Sequence, residues 1–244
     1  WPRTEIARLT DTLAEAGAAA IAFDIVFSEP DRTSPEKVAE QLALVEGNEA
    51  LVARLSGLPS NDAVLADSFA LSPVVGGYFL LDEERGRPLD LPSGMALLGT
   101  PPEMVEPDYR GSVQSLPELQ NSVAGLGSLS INKGEDGVVR RAALLFFHDG
   151  ELVPALSVEA LRVAQQAQSI LVKTSDGSGE TNEANPEIVG LKVGQFELPL
   201  TPNGSLYMHY REPVADQSIP AWKILQDALS DGEKQRLIEG NIVL

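Results

Sequence analysis

Residues 19–27 read Ala-Ala-Ile-Ala-Phe-Asp-Ile-Val-Phe, apolar at every position but Asp24. A strand with one wet face alternates apolar and polar side chains, whereas a strand covered on both faces does not. The run therefore predicts a central strand of a parallel sheet with helices packed on either side. This one stretch narrows the chain to the α/β class.

The flanking pattern agrees. Ile6, Leu9, Leu13 and Ala16 recur at helical spacing behind Thr4, a candidate cap, and Gly17 is a natural stop. Pro35 sits one residue after Ser34, as it does at the first position of helices, and Gly57-Leu58-Pro59 breaks the pattern that follows. Asn61-Asp62 caps a helix reaching Leu71, and a strand follows over 73–80. Strand, helical crossover and strand make a right-handed βαβ unit. Residues 82–110 read as irregular. A short helix is predicted near Leu116-Pro117-Glu118, ending at Gly125. Strands over 126–132 and 138–147 flank Asp136-Gly137, which predicts a hairpin. A helix over 154–167, a loop-like stretch over 174–186, a hairpin over 188–200, a helix over 220–229 and a strand from Ile242 complete the reading. The expectation is a single α/β domain: a mixed, mostly parallel central sheet, helices on both faces, and antiparallel hairpins.

Composition closes off several functions. With Lys+Arg 18 against Asp+Glu 36 the formal net charge is -18, which opposes binding to nucleic-acid phosphates or to anionic lipid. There is no cysteine, hence no disulfide, thiolate metal site or thiol nucleophile. The longest apolar run, 18–27, is too short for a membrane helix. Trp1-Pro2 leads straight into a helix and Gly240–Leu244 begins a strand and stops, so both ends read as cut from a longer chain.

The candidate chemistry is sparse. Asp24, Ser28, Glu29 and Asp31 lie at the carboxyl end of the predicted central strand, where open α/β sheets bind ligands. One reading is a ligand or metal pocket that includes them. The other is an aspartate tying the following loop to backbone N–H groups. Arg140 and Arg141 alternate on a strand, so at most one points into a given pocket. They serve either as ion-pair partners of Asp24 or Asp31 or as contacts for an anionic ligand. His148 and His209 are isolated, and no metal site or cofactor is expected. Ser130-Ile131-Asn132-Lys133 matches S-x-x-K only in letters, and Asn203-Gly204 reads as a turn. No catalytic residue is assigned.

Several stretches together resemble the type-2 CHASE domain, the second family of cyclase/histidine-kinase-associated sensory extracellular domains. They are Trp1-Pro2-Arg3, residues 20–32 with their Phe-Asp and Glu-Pro-Asp elements, Asn61-Asp62-Ala63-Val64-Leu65-Ala66, and Asp136-Gly137-Val138-Val139-Arg140-Arg141. Residues 154–161, Pro220-Ala221-Trp222 and residues 240–244 continue the match. The family's usual strand before the Trp-Pro element and its membrane helices after the last strand are not in this sequence. The resemblance implies a periplasmic sensory domain at the outer face of a bacterial inner membrane, tethered through flanking helices and acting in a homodimer. It implies control of a cytoplasmic output, most often an adenylate/guanylate cyclase, otherwise a kinase, in response to an unidentified small ligand or ion. On that reading the acidic domain stands off anionic lipid and favours cationic signals or divalent ions. The competing readings are an α/β hydrolase using Asp24 and a purely structural dimerisation module.

Overall fold

The structure, a computed structural model, describes residues 1–92, 94–102, 107–131, 137–177, 185–212, 214 and 217–244. The first third holds α1 (Arg3–Glu15), β1 (Ala20–Ala22), α2 (Pro35–Leu42), α3 (Glu49–Ser56), α4 (Asn61–Ala70) and β2 (Val74–Leu81). Next come β3 (Met95–Leu98), β4 (Asp108–Tyr109), β5 (Gly111–Val113), α5 (Pro117–Gln120), β6 (Gly125–Ser128), β7 (Arg141–Ala143), β8 (Leu145–His148) and β9 (Glu151–Pro154). The last third holds α6 (Leu156–Ala164), β10 (Ile170–Thr174), β11 (Ile188–Val193), β12 (Phe196–Pro199), β13 (Ser205–Tyr207), α7 (Ala221–Leu225), α8 (Asp231–Leu237) and β14 (Ile242–Val243).

The central sheet is five-stranded. β1 pairs in parallel with β14 on one edge and β2 on the other, β6 runs parallel to β2, and β5 is antiparallel to the end of β2. Its side chains alternate as the pleat requires. Ala20, Ala22 and Val75 pack against Leu156, Ala160 and Val163 of α6, while Ile21 and Val74 join Ala7, Leu13, Leu65 and Phe69 of α1 and α4. The sheet is thus mostly parallel and sheathed by helices on both faces, in a single mixed α/β domain.

The helix on the first face lies very close to the sheet. A Cβ on Gly127 would stand 2.4 Å from the Leu156 Cα and 2.6 Å from its N. Both are backbone atoms, so α6 itself would have to retreat. Gly127→Ala is expected to lower stability by about 1–3 kcal/mol through overpacking. Urea unfolding checks this, and an unchanged midpoint would contradict it.

Four local expectations need correction. Thr4 lies inside α1, whose N-cap is Pro2, and the Ser60 side chain, not Asn61-Asp62, caps α4 by accepting from Ala63 N. The strand read over 19–27 ends at Ala22. Phe23 N still bonds to Val75 O, but further along β2 the partner is β5, and Ile25 is 50% exposed. The apolarity past Ala22 serves an aromatic cluster instead: Phe23 and Phe27 pack on Phe69, with centroids 5.2 Å and 6.3 Å from it. The hairpin expected at Asp136-Gly137 does not form between its two flanking strands. β6 pairs with β2, and β7 pairs with β13. Residues 132–136 lie outside the described residues, as does most of the loop-like stretch 174–186.

The Asp-Gly hairpin occurs one strand later. Asp149 (φ 50) and Gly150 (φ 79) join the antiparallel pair β8–β9, and two successive positive φ angles are the signature of a type I′ turn. The expected hairpin over 188–200 is present as β11–β12. It belongs to a second sheet ordered β12-β11-β10-β3, in which β3 runs parallel to β10.

Candidate functional site

The predicted site residues separate into two places. The first is a polar clamp around Asp31, which is buried. Its Oδ2 accepts hydrogen bonds from the Arg3 backbone N–H (2.7 Å) and the Asn61 Nδ2 (2.9 Å). Its Oδ1 accepts from the Thr33 backbone N–H (2.8 Å) and hydroxyl (2.9 Å). Burial alone would push this carboxyl up, but those four donors outweigh it and hold the pKa at about 2. Asp62 completes the clamp by accepting from the Asp31 N–H (2.9 Å) and from Arg3 Nε (3.3 Å). Arg3 also donates from Nη2 to the Glu29 carbonyl (3.2 Å) and lies over the Phe27 ring (4.4 Å). The clamp joins the start of α1, the loop after Phe27 and the start of α4. It is Arg3, not Arg140 or Arg141, that reaches this loop. With each oxygen of Asp31 already accepting two bonds, the chemistry here is positional. The side chain of Glu29 is exposed beside it, and Ser28 is exposed outside both places.

The second place is a cleft of about 570 Å³ at the carboxyl ends of β1, β6 and β14. Ala22, Asp24, Ile242 and Leu244 line its β1–β14 side. Ser128, Leu129, Ser130 and Ile131 line it beyond β6. Ala155, Leu156, Ser157 and Ala160 close it from α6. Val139, Arg141, Met208 and Tyr210 form the wall on the β7–β13 side. The lining is mostly alanine, leucine, isoleucine and methionine, with a few polar groups, which is the general make-up of a small-molecule site. The start of α6 faces it, and Ala155 at the N-cap supplies no side-chain acceptor for the first-turn N–H groups.

Asp24 and Arg141 both line this cleft. Asp24 is exposed, contrary to its expected burial in a central strand, because β1 has ended two residues earlier. Among the described residues it makes no hydrogen bond or ion pair. The Arg141 guanidinium lies 5.1 Å from the centroid of the Tyr207 ring and has no carboxylate partner among the described residues. Arg140, one residue away on the opposite face, is exposed, and its carbonyl accepts from Met208 N (2.9 Å). Ser128, Ser157, Met208 and Tyr210 were not anticipated from the sequence. The small residues at the start of α6 carried a usable signal, since a helix that follows a strand end with small residues leaves room at its N-terminus. Nothing local marked Met208 or Tyr210.

Among the described residues, no group of three or more His, Asp or Glu side chains is arranged to hold a metal ion. No helix among them is long and apolar enough to cross a membrane. The family model described as CHASE2 domain matches residues 1–244. No curated protein and no solved structure matches the chain.

Proposed function

The chain belongs to the CHASE2 domain family, whose members are extracellular sensory modules and not catalysts, and on that premise we propose that it senses a small molecule in the cleft beside Asp24 and Arg141. The observation that carries the proposal is the cleft itself, an apolar space at strand carboxyl ends lined by two charged side chains that are not bonded to each other. The domain acts on the periplasmic side of a bacterial inner membrane, within a homodimeric transmembrane receptor. Its output is a cytoplasmic adenylate/guanylate cyclase or a kinase.

The mechanism is a population shift. A ligand moves a receptor between two arrangements only by its difference in affinity for them. Ile242 and Leu244 belong to the cleft wall, so an occupant touches the last strand directly. Occupancy therefore biases the position of β14 relative to α6, and that displacement is the signal passed on.

A thermal-shift screen of the purified domain tests this. A ligand at 100 times its Kd adds about 2.7 kcal/mol to stability and raises Tm by several degrees. Ser157 is exposed on the cleft wall, so Ser157→Trp fills the space without entering the core. The response is expected to vanish in that variant. A response that survives the filling of the cleft places the ligand elsewhere and refutes the site.

A further inference from the structure

We infer that the cleft is built for a zwitterion with an apolar body, of the α-amino acid type, its ammonium group meeting Asp24 and its carboxylate meeting Arg141. The inference rests on the cleft being the sensing site and goes on to name the chemistry of what enters it.

Asp24 and Arg141 line one cleft, yet no ion pair joins them. The Arg141 guanidinium lies over the face of Tyr207 and has no hydrogen-bond or ion-pair partner among the described residues, which leaves the N–H donors at its edge available for a bidentate acceptor. Asp24 offers four lone-pair sites and uses none within the described residues. Any ligand that fills the space between them removes water from both.

Ligand classes can be ranked by what that desolvation leaves unmatched. A neutral apolar molecule would leave both charges unpaired in a drier environment, which is costly. An apolar anion would satisfy Arg141 and stand against Asp24. An apolar cation would do the reverse. A zwitterion meets both, and it adds no net charge to a chain carrying -18. The body of the ligand is set by the rest of the lining, where Ala22, Leu129, Ala142, Leu156 and Ala160 present no hydrogen-bonding side chain. An aliphatic or aromatic side chain fits that lining. The positive end of the α6 macrodipole lies on the same cleft.

The test uses calorimetric titration of the purified domain with L-leucine and L-phenylalanine. The comparison ligands are two relatives of leucine that each lack one charge: 4-methylpentanoate, without the ammonium, and 3-methylbutylamine, without the carboxylate. The amino acids are expected to bind about tenfold or more tightly than either relative, a difference of about 1.4 kcal/mol per tenfold. Asp24→Asn is expected to weaken leucine about tenfold and to leave 4-methylpentanoate unchanged or tighter. Arg141→Gln is expected to weaken leucine by a similar factor and to spare 3-methylbutylamine. Both side chains are exposed, and far-UV circular dichroism will show both variants folded. Failure of the amino acids to bind overturns the inference, as does equal binding of leucine and 4-methylpentanoate, or indifference to both substitutions. The neutral fluorescent probe N-phenyl-1-naphthylamine separates the two levels. If it binds the wild type but not Ser157→Trp while the amino acids do not bind, the cleft stands and the zwitterion falls. If the probe does not bind either, both fall.

Discussion

Arg162→Leu is expected to destabilise the domain by about 3–5 kcal/mol, the cost of leaving a buried carboxylate without its cation. Glu159 is 0% exposed and Arg162 8%. The guanidinium donates to Glu159 Oε1 from Nε (2.9 Å) and Nη2 (2.7 Å). It also donates to the Ala124 carbonyl (2.7 Å) and, from Nη1, to the Ala167 carbonyl (2.9 Å). One side chain thus holds α6 to the residue before β6 and to the turn at its own end. The surroundings are tightly packed. Gly125 approaches Glu159 so closely that a Cβ there would stand 2.4 Å from Oε1. Nearby Tyr78 is 1% exposed, and burial and the Glu159 charge together push its phenol far above its ordinary pKa. Urea unfolding of the single variant and of Glu159→Gln with Arg162→Leu will separate the lost bonds from the stranded charge. The double variant is expected to be less destabilised than the single one. If the two lose equally, the stranded charge is not the dominant cost.

Asp31→Asn is the second large effect, expected at about 2–4 kcal/mol near neutral pH. The amide would turn an NH₂ group toward donors that now meet an oxygen, leaving buried donors unpaired. The aspartate also gives the effect a pH signature. Its pKa is held at about 2 when folded, against an ordinary value of 3.8. A depressed folded pKa adds stability that is fully present above the unfolded value and is lost as pH falls through the folded one. The contribution is therefore complete above pH 4, declines between about 4 and 2, and is absent below. It amounts to about 2 kcal/mol at 1.36 kcal/mol per pH unit. Wild type and Asp31→Asn, unfolded in urea across pH 2–7, are expected to differ most above pH 4 and to converge toward pH 2. A difference independent of pH would show that the ionised carboxylate is not what the clamp depends on.

The sequence carried the class of fold through the run at residues 20–22, where small and apolar residues on both faces require cover on both sides. It carried the boundaries that are chemical: the stop of α1 at Gly17, the start of α2 at Pro35 and the break at Gly57-Leu58-Pro59, though not the division between α2 and α3. It misplaced the Asp-Gly turn because four such dipeptides occur and tertiary pairing selects Asp149-Gly150 for the hairpin. It passed over α8, although Ser230 and Glu233 stand at capping-box spacing and make both reciprocal bonds. It also passed over β3 and β10, whose partners are distant in the chain. The site shows the same division. Asp24 and Arg141 were legible as charges on apolar strands, and alternation placed Arg140 and Arg141 on opposite sides. That Asp31 belongs to a clamp with Arg3, Asn61 and Asp62 was not legible, because the clamp's partners lie on separate elements.

The pairing of β14 on β1 sets the order in which the molecule can assemble. Ala20 meets Ile242, and around them Ala19 N bonds to Asn241 O and Gly240 N to Gly17 O. α1 and β2 can dock on β1 as soon as they are made, but one edge of β1 stays open until residues 242–243 are available. Contacts so far apart in sequence carry a large loop-closure cost and slow the final step of folding. A chain delivered from its N-terminus would hold that apolar edge unpaired until β14 is delivered. Closure by β14 also completes the cleft wall at Ile242 and Leu244, so the molecule cannot present a finished binding site before its sheet is sealed.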